Sequence, residues 1–260
     1  MENKETVLVT GGSGFIGSHC IIKLAAAGYN VKATVRDLSR TNKLNQILLT
    51  GLEKHEGKSD LSVDWQVANL SSDEGWDEAV KGCDYVLHVA SPIGMELPKN
   101  EDEMVKPAVE GTLRVLKAAS KAGVKRVVIT SSVAAIMYGT DKQGVFDEED
   151  WTNPESKTTN VYAKSKTLAE KAAWDFMKQD TSGMELSTVL PAMVFGPILE
   201  EDFGVSVGAI LDMMNGKYPI VPNWDMGVVD VRDVAALELL AMTKPEQRAK
   251  DLFAHQKICS

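Results

Sequence analysis

The sequence has few of the features that mark secreted, membrane or nucleic-acid-binding proteins. It contains three cysteines in 260 residues. Cys20, Cys83 and Cys259 are odd in number and far apart, so free thiols are expected rather than a disulfide framework or a zinc knuckle. No metal site is expected. Basic residues do not dominate either: 28 Lys and Arg face 37 Asp and Glu, for a net charge of -9. With no Lys/Arg run to offset it, that balance disfavours nucleic acid as a partner. Long apolar runs are missing too. Thr6–Ile22 is uncharged over 17 residues but holds four glycines, short of the roughly 20 apolar residues that cross a bilayer. The start, Met1 to Glu5, lacks the layout of a signal peptide, so a cytoplasmic protein is expected. There is no internal repeat and no low-complexity linker.

What is present is an ordinary globular composition, 44% hydrophobic and 25% charged, on a length that suits one large α/β unit with a small annex. Short β-branched runs at Thr6–Thr10, Val31–Val35, Val63–Val67, Tyr85–Val89, Val127–Thr130 and Leu186–Leu190 read as strands, several of them apolar on both faces as buried parallel strands are. Helical patterns separate them. Gly14–Ala27 places Ile16, Cys20 and Leu24 on one face and stops at Gly28, and the segment from Asn100 aligns Val105, Val109, Thr112, Leu113 and Leu116. This alternation predicts a doubly wound parallel sheet. Residues 1–190 are expected to form a dinucleotide-binding domain with a catalytic helix. Residues 191–260 are expected to add a partial substrate annex, rich in Gly, Pro and Met between Gly196 and Val229, then one returning helix from Asp230 and a charged, irregular tail from Lys244.

Thr10 to Gly17 (TGGSGFIG) follows the first strand and opens the first helix. Gly11 permits a tight turn, Gly14 lets backbone approach a pyrophosphate, and Gly17 allows close packing, while the helix start at Phe15 and Ile16 offers unpaired N–H groups. At the end of the second strand stands Arg36, whose guanidinium suits a 2′-phosphate, with Arg40 and Lys43 following. Asp37 could instead take a ribose hydroxyl or pair with Arg36. NADP(H) is the expected cofactor.

Tyr-x-x-x-Lys occurs twice. Tyr138 and Lys142 lie among turn residues, where i and i+4 need not face the same way. Tyr162 and Lys166 open a helical stretch to Lys178, with Leu168, Ala169, Ala172, Ala173 and Phe176 as its apolar stripe, so the pair shares a face. A phenol titrates near 10, and bringing it to about 7 takes on the order of 4 kcal/mol, part of which a neighbouring ammonium can supply. Ser132, after the Val127–Thr130 strand, is the expected hydrogen-bond partner of the reacting oxygen, with Ser131 as the alternative.

The stretches VTGGSGFIG (Val9–Gly17), ATVRD (Ala33–Asp37), HVASP (His88–Pro92), VVITSSVAA (Val127–Ala135), YAKSKTLAEKAAW (Tyr162–Trp174), LPAMVFGP (Leu190–Pro197) and VDVRDVA (Val229–Ala235) together resemble the extended short-chain dehydrogenase/reductase family. The resemblance is to its dihydroflavonol-reductase-like branch, within the NAD(P)-dependent epimerase/dehydratase superfamily. It implies a Rossmann fold and an NADPH-dependent reductase of ketones or aldehydes. In that role Tyr162 is general acid, Lys166 holds the ribose and lowers the Tyr pKa, and Ser132 orients the carbonyl. It further implies cofactor contacts at Arg36, Lys43, Ala90, Pro191 and Val194, with Asn69-Leu70 where the family usually has Asp-Leu beside adenine.

Members usually continue for several tens of residues beyond the VDVRDVA helix. A shortened annex is therefore expected here. Met193, Phe195, Met213, Met214, Trp224 and Met226 would give an adaptable apolar pocket for small or aryl carbonyls. The state expected is monomer or homodimer. The competing functions are an NAD-dependent nucleotide-sugar epimerase or dehydratase, disfavoured by Lys217 being the only basic residue between Gly196 and Val229, and a non-catalytic dinucleotide-binding sensor.

Overall fold

The computed structural model describes residues 4–92, 98–200, 203–217, 227–244 and 251–254. Trp224, Met226 and Cys259 lie outside them. Strands β1 (Thr6–Thr10), β2 (Asn30–Val35), β3 (Val63–Val67), β4 (Tyr85–His88), β5 (Arg126–Thr130) and β6 (Glu185–Pro191) fall within one or two residues of the predicted runs. With β9 (Asp251–Ala254) they form one sheet in the order β3-β2-β1-β4-β5-β6-β9, and each pairing is parallel. The order reverses between β1 and β4, which is where ligands bind in open α/β sheets.

Strand alternation splits the core into two layers. On one face Val7 and Val9 pack with Cys20, Ile21 and Leu24 of α1 (Phe15–Ala27), Leu48 and Leu52 of α2 (Thr41–Glu56), and Val231 and Val234 of α7 (Val231–Thr243). On the other, Leu8 packs with Trp76 of α3 (Trp76–Val80), Val115 and Leu116 of α4 (Asp102–Ala122), and Ala173 of α5 (Val161–Met177). Helix α1 ends as expected, with Gly28 left-handed at φ 92°. Among the described residues no helix is long and apolar enough to cross a membrane.

The structure corrects three expectations. The inward face of α4 carries Met104, Ala108, Gly111, Thr112, Val115 and Leu116, while Val105, Val109 and Leu113 are only partly buried. The stripe is rotated because small residues let the helix approach closely: a Cβ on Gly111 would lie 2.8 Å from the Leu70 Cβ. The segment after Gly196 contains a helix, α6 (Gly204–Met214), and β7 (Met193–Phe195) pairs in parallel with β8 (Val228–Asp230) in a small second sheet. The tail is not wholly irregular either, since β9 extends the main sheet beside β6.

Candidate active site

The glycine turn links β1 to α1 at the topological switch point. Gly11 adopts φ 69°, and a Cβ there would meet the Ala90 backbone at 3.0 Å. A Cβ on Gly17 would run into the Gly11 carbonyl oxygen, so this glycine is required for the helix to start where it does. Gly14 differs: a Cβ there would meet only the Gly11 oxygen at 3.4 Å, so its other side faces open space. Gly14 is the N-cap and makes no side-chain cap. The first amides of α1, at Phe15 and Ile16, therefore have no capping side chain, the arrangement that accepts a phosphate.

Around this turn lies a layer that sequence reasoning missed. The Thr34 hydroxyl accepts the Gly11 N–H at 3.0 Å. The Thr10 hydroxyl accepts the Ala90 N–H at 3.0 Å and lies 2.8 Å from His88 Nδ1. The amide of Ala90 is thus used within the protein. Burial, helped by the Lys166 cation, pushes the His88 pKa down to about 3, so the ring is neutral. The signal for this layer was polar residues at the ends of strands, Thr10 and His88 at the last position of β1 and β4 and Thr34 one before the last of β2.

At the end of β2, Asp37 follows neither of the two expected courses. It caps the short 3-10 turn Leu38–Arg40, accepting the Ser39 N–H at 2.8 Å and the Ser39 hydroxyl at 2.5 Å. Arg36 is exposed and makes no ion pair among the described residues, and Lys43 is exposed one turn into α2. Arg40 instead pairs with Glu200 at 3.3 Å. The Asn69 side-chain oxygen accepts the Ser71 N–H at 3.0 Å, and the Leu70 carbonyl accepts Arg114 Nη1 at 2.8 Å, so this corner is held from within.

Helix α5 begins where the Asn160 side chain accepts the Ala163 N–H at 2.8 Å. That cap puts Tyr162 in the first turn and Lys166 one turn later, on the inner face. Ser132 follows β5, and its hydroxyl lies near enough to the Tyr162 phenol to favour its ionised form. The same Ser132 oxygen accepts the Ala134 N–H at 3.2 Å and lies 3.5 Å from the Pro191 carbonyl at the end of β6. Ser131 turns the other way and donates to Glu170. Val194 is buried on β7, while Met214 is 77% exposed.

The electrostatics differ from expectation at the pair itself. Lys166 Nζ donates to the Thr130 carbonyl at 3.1 Å, and the Tyr162 pKa is raised, because burial outweighs the opposing effect of the Ser132 hydroxyl and the Tyr138 phenol adds to the rise. The Lys166 pKa is lowered to about 8 by burial, against the opposing pull of Glu170 and Glu238. Tyr138 and Lys142 do not form a helical pair, and Lys142 pairs with Asp150 at 2.5 Å. Tyr138 nevertheless reaches Tyr162 electrostatically.

Comparison with known proteins gives a consistent result. The model of the NAD dependent epimerase/dehydratase family matches residues 7–253. A cinnamoyl-CoA reductase of Medicago truncatula is 39% identical over 241 residues, covering 90% of this chain and 71% of that protein. A dihydroflavonol 4-reductase of Arabidopsis thaliana is 41% identical over 205 residues, covering 76% and 52%. The chain thus spans between about half and 71% of these relatives' lengths. Among solved structures, the yeast methylglyoxal/isovaleraldehyde reductase Gre2 complexed with NADPH superposes at TM-score 0.80 with 29% identity, covering 96% of this chain and 78% of that one. Alfalfa (Medicago sativa) vestitone reductase gives 0.76, 30%, 97% and 77%.

Proposed function

We propose that this chain, which belongs to the NAD dependent epimerase/dehydratase family, is an NADPH-dependent reductase of ketones or aldehydes. The observation that carries the proposal is the meeting of Ser132 and Tyr162 one helical turn from Lys166, beside a glycine turn with an open face. The likeness to reductases, one of them solved with NADPH, supports it.

The turn fits a dinucleotide. Gly14 leaves room for a pyrophosphate against the amides of Phe15 and Ile16, and Gly11 and Gly17 hold those amides in place. Arg36 and Lys43 would meet a 2′-phosphate, since Asp37 is occupied by Ser39 and does not neutralise Arg36. Asn69 and Leu70 would lie beside adenine, and Ala90, Pro191 and Val194 along the nicotinamide half. When bound, the dinucleotide supplies hydride to the carbonyl carbon.

Tyr162 gives the proton to the carbonyl oxygen as general acid, and Ser132 orients that oxygen. With its pKa raised, the phenol carries its proton throughout the neutral range, as a general acid must before the transfer. Lys166 holds the ribose and, once drawn towards it, lowers the phenol pKa to ease the transfer. Residues 1–190 carry this machinery, while residues 191–260 contribute both the substrate side and, through α7 and β9, part of the sheet's own packing. We place the protein in the cytoplasm, as a monomer or homodimer.

The test is a fluorescence titration with NADPH and NADH. NADPH should bind at least about tenfold more tightly, and Arg36→Ala should remove most of the difference, each charge-assisted contact being worth about 1.5–3 kcal/mol. Equal affinities in the wild type would refute the cofactor assignment.

A further inference from the structure

Lys166 is held from behind by a residue of the last helix. Its Nζ donates to the carbonyl of Thr130, and the hydroxyl of the same Thr130 donates to Glu238 Oε1 at 2.5 Å. Glu238 lies on α7 and is fully buried, and its second oxygen, Oε2, has no hydrogen-bond partner among the described residues. Glu170, on the same helix as Lys166, is placed differently: Ser131, Thr188 and Trp174 all donate to it. The groups that face Glu238 are Thr130 on β5, Lys166 on α5 and Cys20 on α1. Those that face Lys166 are Glu170 on its own helix, Glu238 on α7 and the neutral His88 on β4.

An ammonium removed from water gives up its proton unless an anion compensates it. A carboxyl with one oxygen unspent on neighbouring donors is suited to that compensation, and Lys166 is the cation that acts on it across Thr130. We propose that Glu238 is a positioning residue of the active site, which keeps Lys166 in its ammonium form and anchored to Thr130 from the far side of the sheet. The inference takes Lys166 as the ribose-holding residue from the proposed function, while the link between the two side chains is the shared contact with Thr130 and the burial of both. Burial raises the Glu238 pKa and lowers that of Lys166, and each group's charge opposes the shift of the other.

The experiment follows the Lys166 side chain by NMR in protein labelled with 13Cε-lysine, its signal identified by loss in Lys166→Arg. Glu238→Gln keeps an oxygen for Thr130 but removes the charge. The Lys166 midpoint should fall by about one pH unit or more, and the alkaline limb of kcat/KM should fall with it. An unchanged midpoint would overturn the proposal. Should Glu238→Gln fail to fold, the reciprocal measurement decides: in 13Cδ-glutamate-labelled Lys166→Met the Glu238 midpoint should rise above the wild-type value, and no rise would refute the coupling. A protein that reduces no carbonyl but shows both shifts would sink the reductase assignment and leave the Glu238–Lys166 coupling intact.

Discussion

His88 sits beside the glycine turn as a neutral ring between Thr10 and Thr112 hydroxyls, at 2.8 and 3.5 Å. Its pKa is depressed from 6.5 to about 3, so its contribution to stability is present above pH 6.5 and is lost as pH falls towards 3. His88→Asn should therefore be most destabilising, relative to wild type, at pH 7.5. The deficit should shrink by roughly 1.4 kcal/mol for each pH unit between about 6 and 4. Urea unfolding at pH 7.5 and 4.5 measures this, and a deficit that grows on acidification would contradict the assigned neutral state. At this scale the sequence was partly legible. Tyr162, Lys166 and Ser132 stood out by type and spacing, whereas Thr10, Glu170 and Glu238 acquire their roles only through burial. A charged side chain at an inward helical position, as at Glu170 four residues after Lys166, is the signal that was available.

At the scale of elements, the turn between β1 and α1 is fixed by the missing side chain of Gly17. Gly17→Ala would force α1 away from the Gly11 carbonyl, and overpacking of this kind costs about 1–3 kcal/mol. The predicted result is a lowered urea midpoint together with at least about tenfold weaker NADPH binding, because the amides of Phe15 and Ile16 move with the helix. Wild-type stability and affinity in Gly17→Ala would contradict it. The inner strands β1, β4, β5 and β6 were legible to within one or two residues because apolar runs buried on both faces leave few alternatives. The orientation of α4 was not. Apolarity favours Val105 and Val109, but the close approach at Gly111 turns Met104 and Ala108 inward instead, and a contact with Leu70 from another part of the chain is not written in the local pattern.

Across the whole molecule, the acidic balance of -9 and an anionic cofactor are compatible because the sheet order gathers the glycine turn, Arg36 and Lys43 at one edge. The doubly wound order followed from the alternation of strands and helices, but β9 did not, since its four residues lie in a charged stretch and owe their strand form to pairing with β6. The fold brings β4, β5 and α5 to the same edge, so that Tyr162 meets Ser132 there. The measurement that bears most directly on the function is NADPH oxidation with a panel of ketones and aldehydes, for wild type and Tyr162→Phe side by side. Loss of a general acid predicts a fall in kcat of about 100-fold or more, with NADPH affinity unchanged. Equal rates for the two proteins would contradict the assigned acid, and tight NADPH binding with no carbonyl turned over by the wild type would contradict the reductase itself.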